Sequence, residues 1–98
     1  MSNEPDTIAM LRALAHPVRL GIMRELAERP ETCACDFTEL FTVSQPTISA
    51  HLKVLREAGL VRTRRRGNQI CYSIDLRAVR QIEVIIAGLT TTQVRETA

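Results

Sequence analysis

The segment from Ser44 to Leu55 constrains the fold of this chain more than any other part of the sequence, because its pattern describes one particular kind of helix. Ser44 is a good N-cap, and Pro46 gives up a first-turn amide that would have no helical partner. Apolar residues at helical spacing predict a face that docks on a core; they are Ile48, Leu52 and Leu55. The opposite face carries short polar groups and one cation, which can approach the base edges and phosphates of DNA: Gln45, Thr47, Ser49, Ala50 and Lys53.

A β-hairpin is predicted directly after this helix. Gly59 follows the helix as a C-terminal capping residue would. Two β-prone runs, residues 61–66 and 69–74, are separated by a Gly-Asn pair that is typical of a tight hairpin turn. In the second run apolar and polar residues alternate, so we expect Ile70 and Tyr72 to be buried and Cys71 to be exposed.

The hairpin carries a concentration of positive charge. Residues 44–68 hold six basic side chains and one acidic side chain, a net charge of +5, whereas the whole chain carries +2 and the remainder therefore −3. Arginines at a hairpin tip beside a polar helix are typical of a winged helix-turn-helix, whose wing contacts phosphates or the minor groove. The DNA contacts predicted on the helix are Ser44, Gln45, Thr47, Ser49, Ala50, His51 and Lys53, and those on the wing are Arg62, Arg64, Arg65, Arg66 and Asn68.

Length and composition set the remaining bounds. The chain has 98 residues, which suits one domain, and we place it over residues 7–90 between flexible ends at 1–6 and 91–98. No apolar run is long enough for a transmembrane helix, and the acidic N-terminus lacks the basic start of a signal peptide. We therefore expect a cytoplasmic protein without a membrane partner, whose three cysteines are mainly reduced and form no structural disulfide.

Periodicity predicts four further helices, over residues 7–14, 17–28, 36–41 and 76–89. His16, just before the second helix, is interpreted as a cap or packing residue, and Phe37 and Leu40 of the third helix are expected to face the core. The predicted fold class is mainly α with a small β-hairpin (α+β), a winged helix-turn-helix of five helices and a two-stranded wing.

The last predicted helix is apolar on more than one side, and so it needs a second partner besides the core. In a chain this small, the simplest such partner is another copy of itself. The predicted homodimer interface consists of Ile8, Leu11, Leu76, Val79, Ile82, Ile85, Ile86 and Leu89.

The order of these elements and three stretches of sequence resemble the ArsR/SmtB family of bacterial repressors. The stretches are residues 13–20 (ALAHPVRL), 44–61 (SQPTISAHLKVLREAGLV) and 66–74 (RGNQICYSI), and the likeness extends over about residues 8–90. The resemblance implies a homodimer built on its first and last helices, with two recognition helices in successive major grooves of a palindromic operator. It also implies repression of an operon, relieved when an effector binds.

Cys33 and Cys35 are the candidate effector ligands. They sit before and within the first turn of the third predicted helix, where the positive helix end favours thiolate. Thiolates are soft ligands suited to As(III), Sb(III), Cd(II) or Zn(II). The pair resembles the Cys-X-Cys-Asp pattern of the arsenic-sensing branch, but Thr38 stands where that branch has a third thiol. The last helix has Glu83 and no histidine, unlike the zinc-sensing branch, so one chain offers no closed four-ligand site.

Three interpretations of the cysteine pair stay open. In the first, the pair binds As(III) or Sb(III), with a third ligand from solvent, the partner chain or Cys71. In the second, the pair is a thiol redox switch. In the third, the two cysteines pack beside Phe37 and the inducer acts elsewhere. No obligatory cofactor is expected. An enzyme is not expected either, because His16 and His51 have no acid partner nearby in sequence and no glycine-rich phosphate loop is present. A winged helix that binds only protein is a further alternative, against which the charge asymmetry argues.

Overall fold

A computed structural model of the chain describes residues 6–97, and their side chains as far as residue 90. These residues form α1 (Thr7–Leu14), α2 (Pro17–Glu28), β1 (Thr32–Cys33), α3 (Ala34–Phe41), α4 (Gln45–Glu57), β2 (Val61–Arg66), β3 (Gln69–Ile74) and α5 (Leu76–Thr97). The predicted winged helix-turn-helix of five helices and a small sheet is confirmed. The flexible ends expected at 1–6 and 91–98 lie, apart from Asp6 and the backbone of 91–97, outside the described residues.

Helix boundaries follow from local capping groups. The Asp6 carboxylate accepts the Ile8 and Ala9 amides at 3.0 and 3.3 Å and begins α1. His16 Nδ1 accepts the Val18 amide at 3.1 Å and begins α2, which confirms its interpretation as a cap. Ser44 Oγ accepts the Thr47 amide at 3.3 Å and begins α4. Gly59, with φ +84°, follows α4 in the left-handed conformation that only glycine adopts readily.

The core lies where α4 packs against the first three helices and the sheet. Ile48, Leu52 and Leu55 are fully buried, which confirms the predicted apolar face of α4. The interpretation of α3 was half right, since Phe37 is buried but Leu40 is 42% exposed. Phe41 packs against the core instead, one helical turn after Phe37.

The sheet has three antiparallel strands in the order β1-β3-β2, so the predicted two-stranded wing lacked one strand. β1 pairs Thr32 with Tyr72 and Cys33 with Cys71. The prediction that Cys71 is exposed was wrong: it is 1% exposed, whereas Ile70 is 37% exposed. Cys71 faces Cys33 of the neighbouring strand β1 and is joined to it by a disulfide, a pairing that the alternation pattern of β3 could not reveal.

Helix α5 continues to Thr97, beyond its predicted end at residue 89. Its residues Val79 and Ile82 pack partly against the core. The other predicted interface residues are exposed in the single chain: Ile8, Leu11, Leu76, Ile85, Ile86 and Leu89. No helix among the described residues combines the length and apolarity needed to cross a membrane.

Candidate nucleic-acid interface and thiol cluster

The exposed face of α4 is made of short polar side chains. Gln45, Thr47, Ser49, Ala50 and Lys53 are all exposed, on the side of the helix away from the core. Ser44 Oγ also donates to Thr47 Oγ1 at 2.9 Å, which fixes two hydroxyls at the start of the helix. No long side chain screens the first two turns of this face, so it can approach a groove floor closely.

His51 differs from the other predicted contacts on α4. Its ring is half-buried and packs against His16, with the ring centroids 4.4 Å apart and the planes tilted by 43°, and its Nδ1 lies 3.3 Å from Arg19 Nη1. Burial lowers the pKa of His51, and the nearby His16 and Arg19 lower it further. Arg19 Nε in turn donates to the Ala13 carbonyl at 2.7 Å. These contacts join α4 to α2 and to the end of α1, and no local pattern in the sequence indicates them.

The wing displays its basic side chains to solvent. Arg62, Arg64, Arg65, Arg66 and Asn68 are exposed, and the turn between the strands begins at Gly67, with φ +61°. Successive strand residues point to opposite faces, so Arg65 projects away from the face that carries Arg64 and Arg66.

Glu31 holds two of these arginines. Its Oε1 accepts from Arg64 Nη2 at 2.9 Å and from Arg66 Nη1 at 3.2 Å. The hydrogen bond from Arg64 is the main cause that lowers the pKa of Glu31, and the positive charges of Arg64 and Arg66 act in the same direction. Glu31 was not among the predicted site residues, because its partners lie more than 30 positions away along the chain.

Cys33 and Cys71 lie opposite each other on β1 and β3, and Cys35 follows Cys33 by two residues in the first turn of α3; we call these three residues the thiol cluster. A disulfide joins Cys33 to Cys71, with Cα atoms 3.9 Å apart. The expectation that no disulfide forms was wrong, because the pairing of β1 with β3 sets these two residues directly opposite each other. Cys35 is exposed and unpaired. Gln69 Nε2 donates to its Sγ at 3.7 Å, and the thiol lies 3.9 Å from Asp36 Oδ1.

Cys33 and Cys35 occupy the positions that the sequence predicted for them. Cys33 is the N-cap residue of α3, without a side-chain capping bond, and Cys35 lies in the first turn. In the part of the chain whose side chains are described, no group of three or more His, Cys, Asp or Glu residues is arranged to hold a metal ion.

Comparison with known proteins shows that this chain is similar to bacterial regulatory proteins. Residues 16–63 match the family model described as bacterial regulatory protein, arsR family. The chain is 44% identical to the arsenical resistance operon repressor of Bacillus subtilis (strain 168) over 64 residues, which are 65% of this chain and 61% of that repressor. It is 42% identical to the biofilm growth-associated repressor of Agrobacterium fabrum (strain C58) over 83 residues, which are 84% of this chain and 70% of that repressor.

A solved structure described as a possible transcriptional regulator for arsenical resistance superimposes with a TM-score of 0.76, at 27% identity, over 92% of this chain and 96% of that one. The chain spans about three-fifths of the length of the arsenical resistance repressors that it matches. All of these proteins are described as regulators or repressors, in agreement with the prediction that the chain is not an enzyme.

Proposed function

Because this chain belongs to the arsR family of bacterial regulatory proteins, we propose that it is a DNA-binding transcriptional repressor acting on a palindromic double-stranded operator. The observation that carries the proposal is the combination of the exposed polar face of α4 with the arginine-bearing wing beside it. Helix α4 reads base edges in the major groove, and the wing contacts the backbone. A repressor has to share a compartment with the DNA it binds, so the proposal includes a cytoplasmic location.

The repressor acts as a homodimer through the exposed apolar residues of α1 and α5. Two copies related by a twofold axis present their α4 helices to two half-sites, centred about 10–11 base pairs apart. A symmetric interface also gives the exposed Ile85, Ile86 and Leu89 a partner that the single chain lacks.

Truncating the reading face of α4 is expected to relax sequence preference. Gln45→Ala or Ser49→Ala removes groups that can bond base edges, so each is expected to reduce the discrimination between operator and random DNA by roughly 1–3 kcal/mol. The two affinities are measured by fluorescence anisotropy, with an operator selected from a random pool by the protein itself. Glu28→Ala, at an exposed position on α2, is the control. If both variants keep the ratio of affinities found for the unmodified protein, α4 is not the reading element.

The effector is a thiol-reactive one, As(III) or Sb(III), which binds at Cys33 and Cys35. Cys35 is exposed and unpaired, and both residues begin α3, which is followed directly by the turn into α4. Soft trivalent ions suit thiolate ligands. The name of the Bacillus subtilis repressor refers to arsenical resistance, which favours this class of effector.

Glu31 links the effector site to the wing. It lies two residues before Cys33 and engages Arg64 and Arg66, which the proposal assigns to DNA phosphates. An effector that repositions Cys33 moves the chain next to Glu31 and thereby changes how freely these arginines reach DNA. The coupling required is small, since a tenfold change in affinity corresponds to about 1.4 kcal/mol.

Glu31→Gln is expected to strengthen binding to all DNA sequences, because it frees both arginines without shortening the side chain at this position. The plot of log affinity against log salt should steepen by up to about one unit for each arginine released. Glu28→Gln removes the same charge from an exposed position on α2 and serves as the matched control. Equal effects of the two variants would mean that Glu31 acts only through overall charge.

A second candidate function is a redox-sensing repressor, which the Cys33–Cys71 disulfide favours. In that case oxidation of these two thiols by peroxide or a related oxidant changes DNA affinity, and As(III) does not. The sequence alone had placed such a switch at Cys33 and Cys35, whereas the register of the sheet offers Cys71 as the partner of Cys33.

A further inference from the structure

A cluster of half-buried side chains behind the reading face connects α4 to the rest of the domain; it consists of His16, Arg19 and His51. Arg19, on α2, lies at its centre. Its Nε donates to the Ala13 carbonyl at 2.7 Å, near the end of α1, and its Nη1 lies 3.3 Å from Nδ1 of His51 on α4. The planar guanidinium therefore links three helices through one rigid group.

We propose that Arg19 is a positioning residue for DNA recognition, which sets the orientation of α4 through the neutral ring of His51. The inference rests on the proposed DNA-binding function. A dimer that reads a palindrome has to hold its two reading helices in a fixed relation to each other. The bond to Ala13 anchors Arg19 on α1, which belongs to the proposed homodimer interface, and the contact with His51 carries that anchor to α4.

The contact with Arg19 requires one protonation state of His51. Arginine stays charged and only donates hydrogen bonds, so Nδ1 of His51 accepts and the proton of the neutral ring lies on Nε2. His16, whose ring centroid lies 4.4 Å away, is bound in the same way, because its Nδ1 accepts the Val18 amide. A proton on Nδ1 of His51 removes the acceptor and sets a second positive group against Arg19.

The groups around His51 favour its neutral form. The titratable or charged side chains that face its ring are His16, before α2, and Arg19, on α2. Across the described side chains of α1, α3, α4 and β2, no carboxylate forms an ion pair with these three residues. Burial lowers the pKa of His51, and His16 and Arg19 lower it further, so the ring is neutral above its ordinary value of 6.5 and gains a proton only as the pH falls below it. The connection is complete at neutral pH and is lost in acid.

Protonation of His51 has a second effect on DNA binding, which can be separated from the first. The added charge attracts phosphates of any sequence, so the affinity for random DNA is maintained or rises. A changed orientation of α4 alters contacts with base edges, which carry the sequence preference. The quantity that reports the positioning role is therefore the ratio of operator affinity to random-DNA affinity.

The test measures this ratio by fluorescence anisotropy at about pH 7.5 and about pH 5.5, a range in which histidine is the side chain that ordinarily titrates. The chain has two histidines, His16 and His51. The ratio for the unmodified protein is expected to fall by about fivefold or more in acid. His51→Gln, whose side-chain carbonyl can accept from Arg19 but does not titrate, should keep the higher ratio at both pH values. His16→Asn, which keeps a capping oxygen before α2, should retain the pH dependence.

Arg19→Lys tests the guanidinium itself. It keeps the positive charge but replaces the planar fork with one ammonium group, which cannot serve both acceptors in the same geometry. The ratio is expected to be about fivefold lower already at neutral pH, with the affinity for random DNA unchanged. Thermal unfolding shows whether each variant is folded in the assay, and if Arg19→Lys is not, His51→Gln decides.

A ratio that is independent of pH in the unmodified protein, or equally dependent on pH in His51→Gln, would overturn the positioning role. So would an unchanged ratio in folded Arg19→Lys, or loss of the pH dependence in His16→Asn, which would assign the effect to His16. If the unmodified protein prefers no DNA sequence at neutral pH, the proposed DNA-binding function is itself wrong, and the positioning role is wrong with it.

Discussion

Ile85→Glu is expected to convert the dimer into a monomer and to abolish tight binding to a palindromic operator. Ile85 lies on α5, is 40% exposed in the single chain, and belongs to the apolar surface that α5 forms with α1. In a twofold interface the substitution places one carboxylate from each copy against an apolar partner surface. Burying such an unpaired charge costs several kcal/mol, roughly 3–5, which lowers dimer affinity by about two to three orders of magnitude or more.

Sedimentation at micromolar concentration and operator affinity are the two measurements. Leu20→Glu is the matched control, because Leu20 on α2 is 41% exposed and lies outside the proposed interface. The control should remain dimeric and bind DNA as the unmodified protein does. A monomeric unmodified chain, or a dimeric Ile85→Glu variant, would contradict the assembly.

Removal of Arg64, Arg65 and Arg66 together is expected to weaken binding to operator and random DNA alike. Each phosphate contact contributes about 0.9 to the slope of log affinity against log salt, so three contacts correspond to roughly a hundredfold in affinity at physiological salt. The fold should tolerate the change, because all three side chains are exposed and surface ion pairs such as those with Glu31 contribute little to stability.

Titrations at several salt concentrations measure the slope. A control that replaces Arg24 and Arg29, which are exposed on and after α2, removes positive charge outside α4 and the wing. The loss of slope per arginine should be larger in the wing than in the control. An unchanged slope in the triple variant would identify the wing arginines as ordinary surface residues.

Features that depend on local sequence were predicted correctly. Ser44, Pro46 and Gly59 act within a few residues of themselves, so the bounds of α4 followed from capping chemistry alone. The wing strands followed likewise from the Gly67-Asn68 turn and its β-prone flanks. In each case the interaction partner lies only a few positions along the chain.

Features that depend on distant contacts were missed. β1 is only two residues long, with no periodicity to detect, and it exists because it pairs with β3. That pairing buries Cys71 and forms its disulfide with Cys33, across a sequence separation of 38 residues. Alternation along β3 could describe which residues share a face, but it could not say which face the rest of the protein covers or which strand lies beside it. The contacts of Glu31 with Arg64 and Arg66 were also missed, because the partners are more than 30 positions apart along the chain.

Release of the reduced protein from its operator by arsenite can be followed by fluorescence anisotropy. Arsenite is expected to weaken DNA binding by at least about tenfold, equivalent to 1.4 kcal/mol. Cys33→Ser and Cys35→Ser should bind DNA normally and lose the response. A parallel titration with peroxide separates the redox alternative. If the protein binds its operator and neither arsenite, antimonite nor peroxide shifts the curve, the thiol cluster is not the effector site and the claim is contradicted.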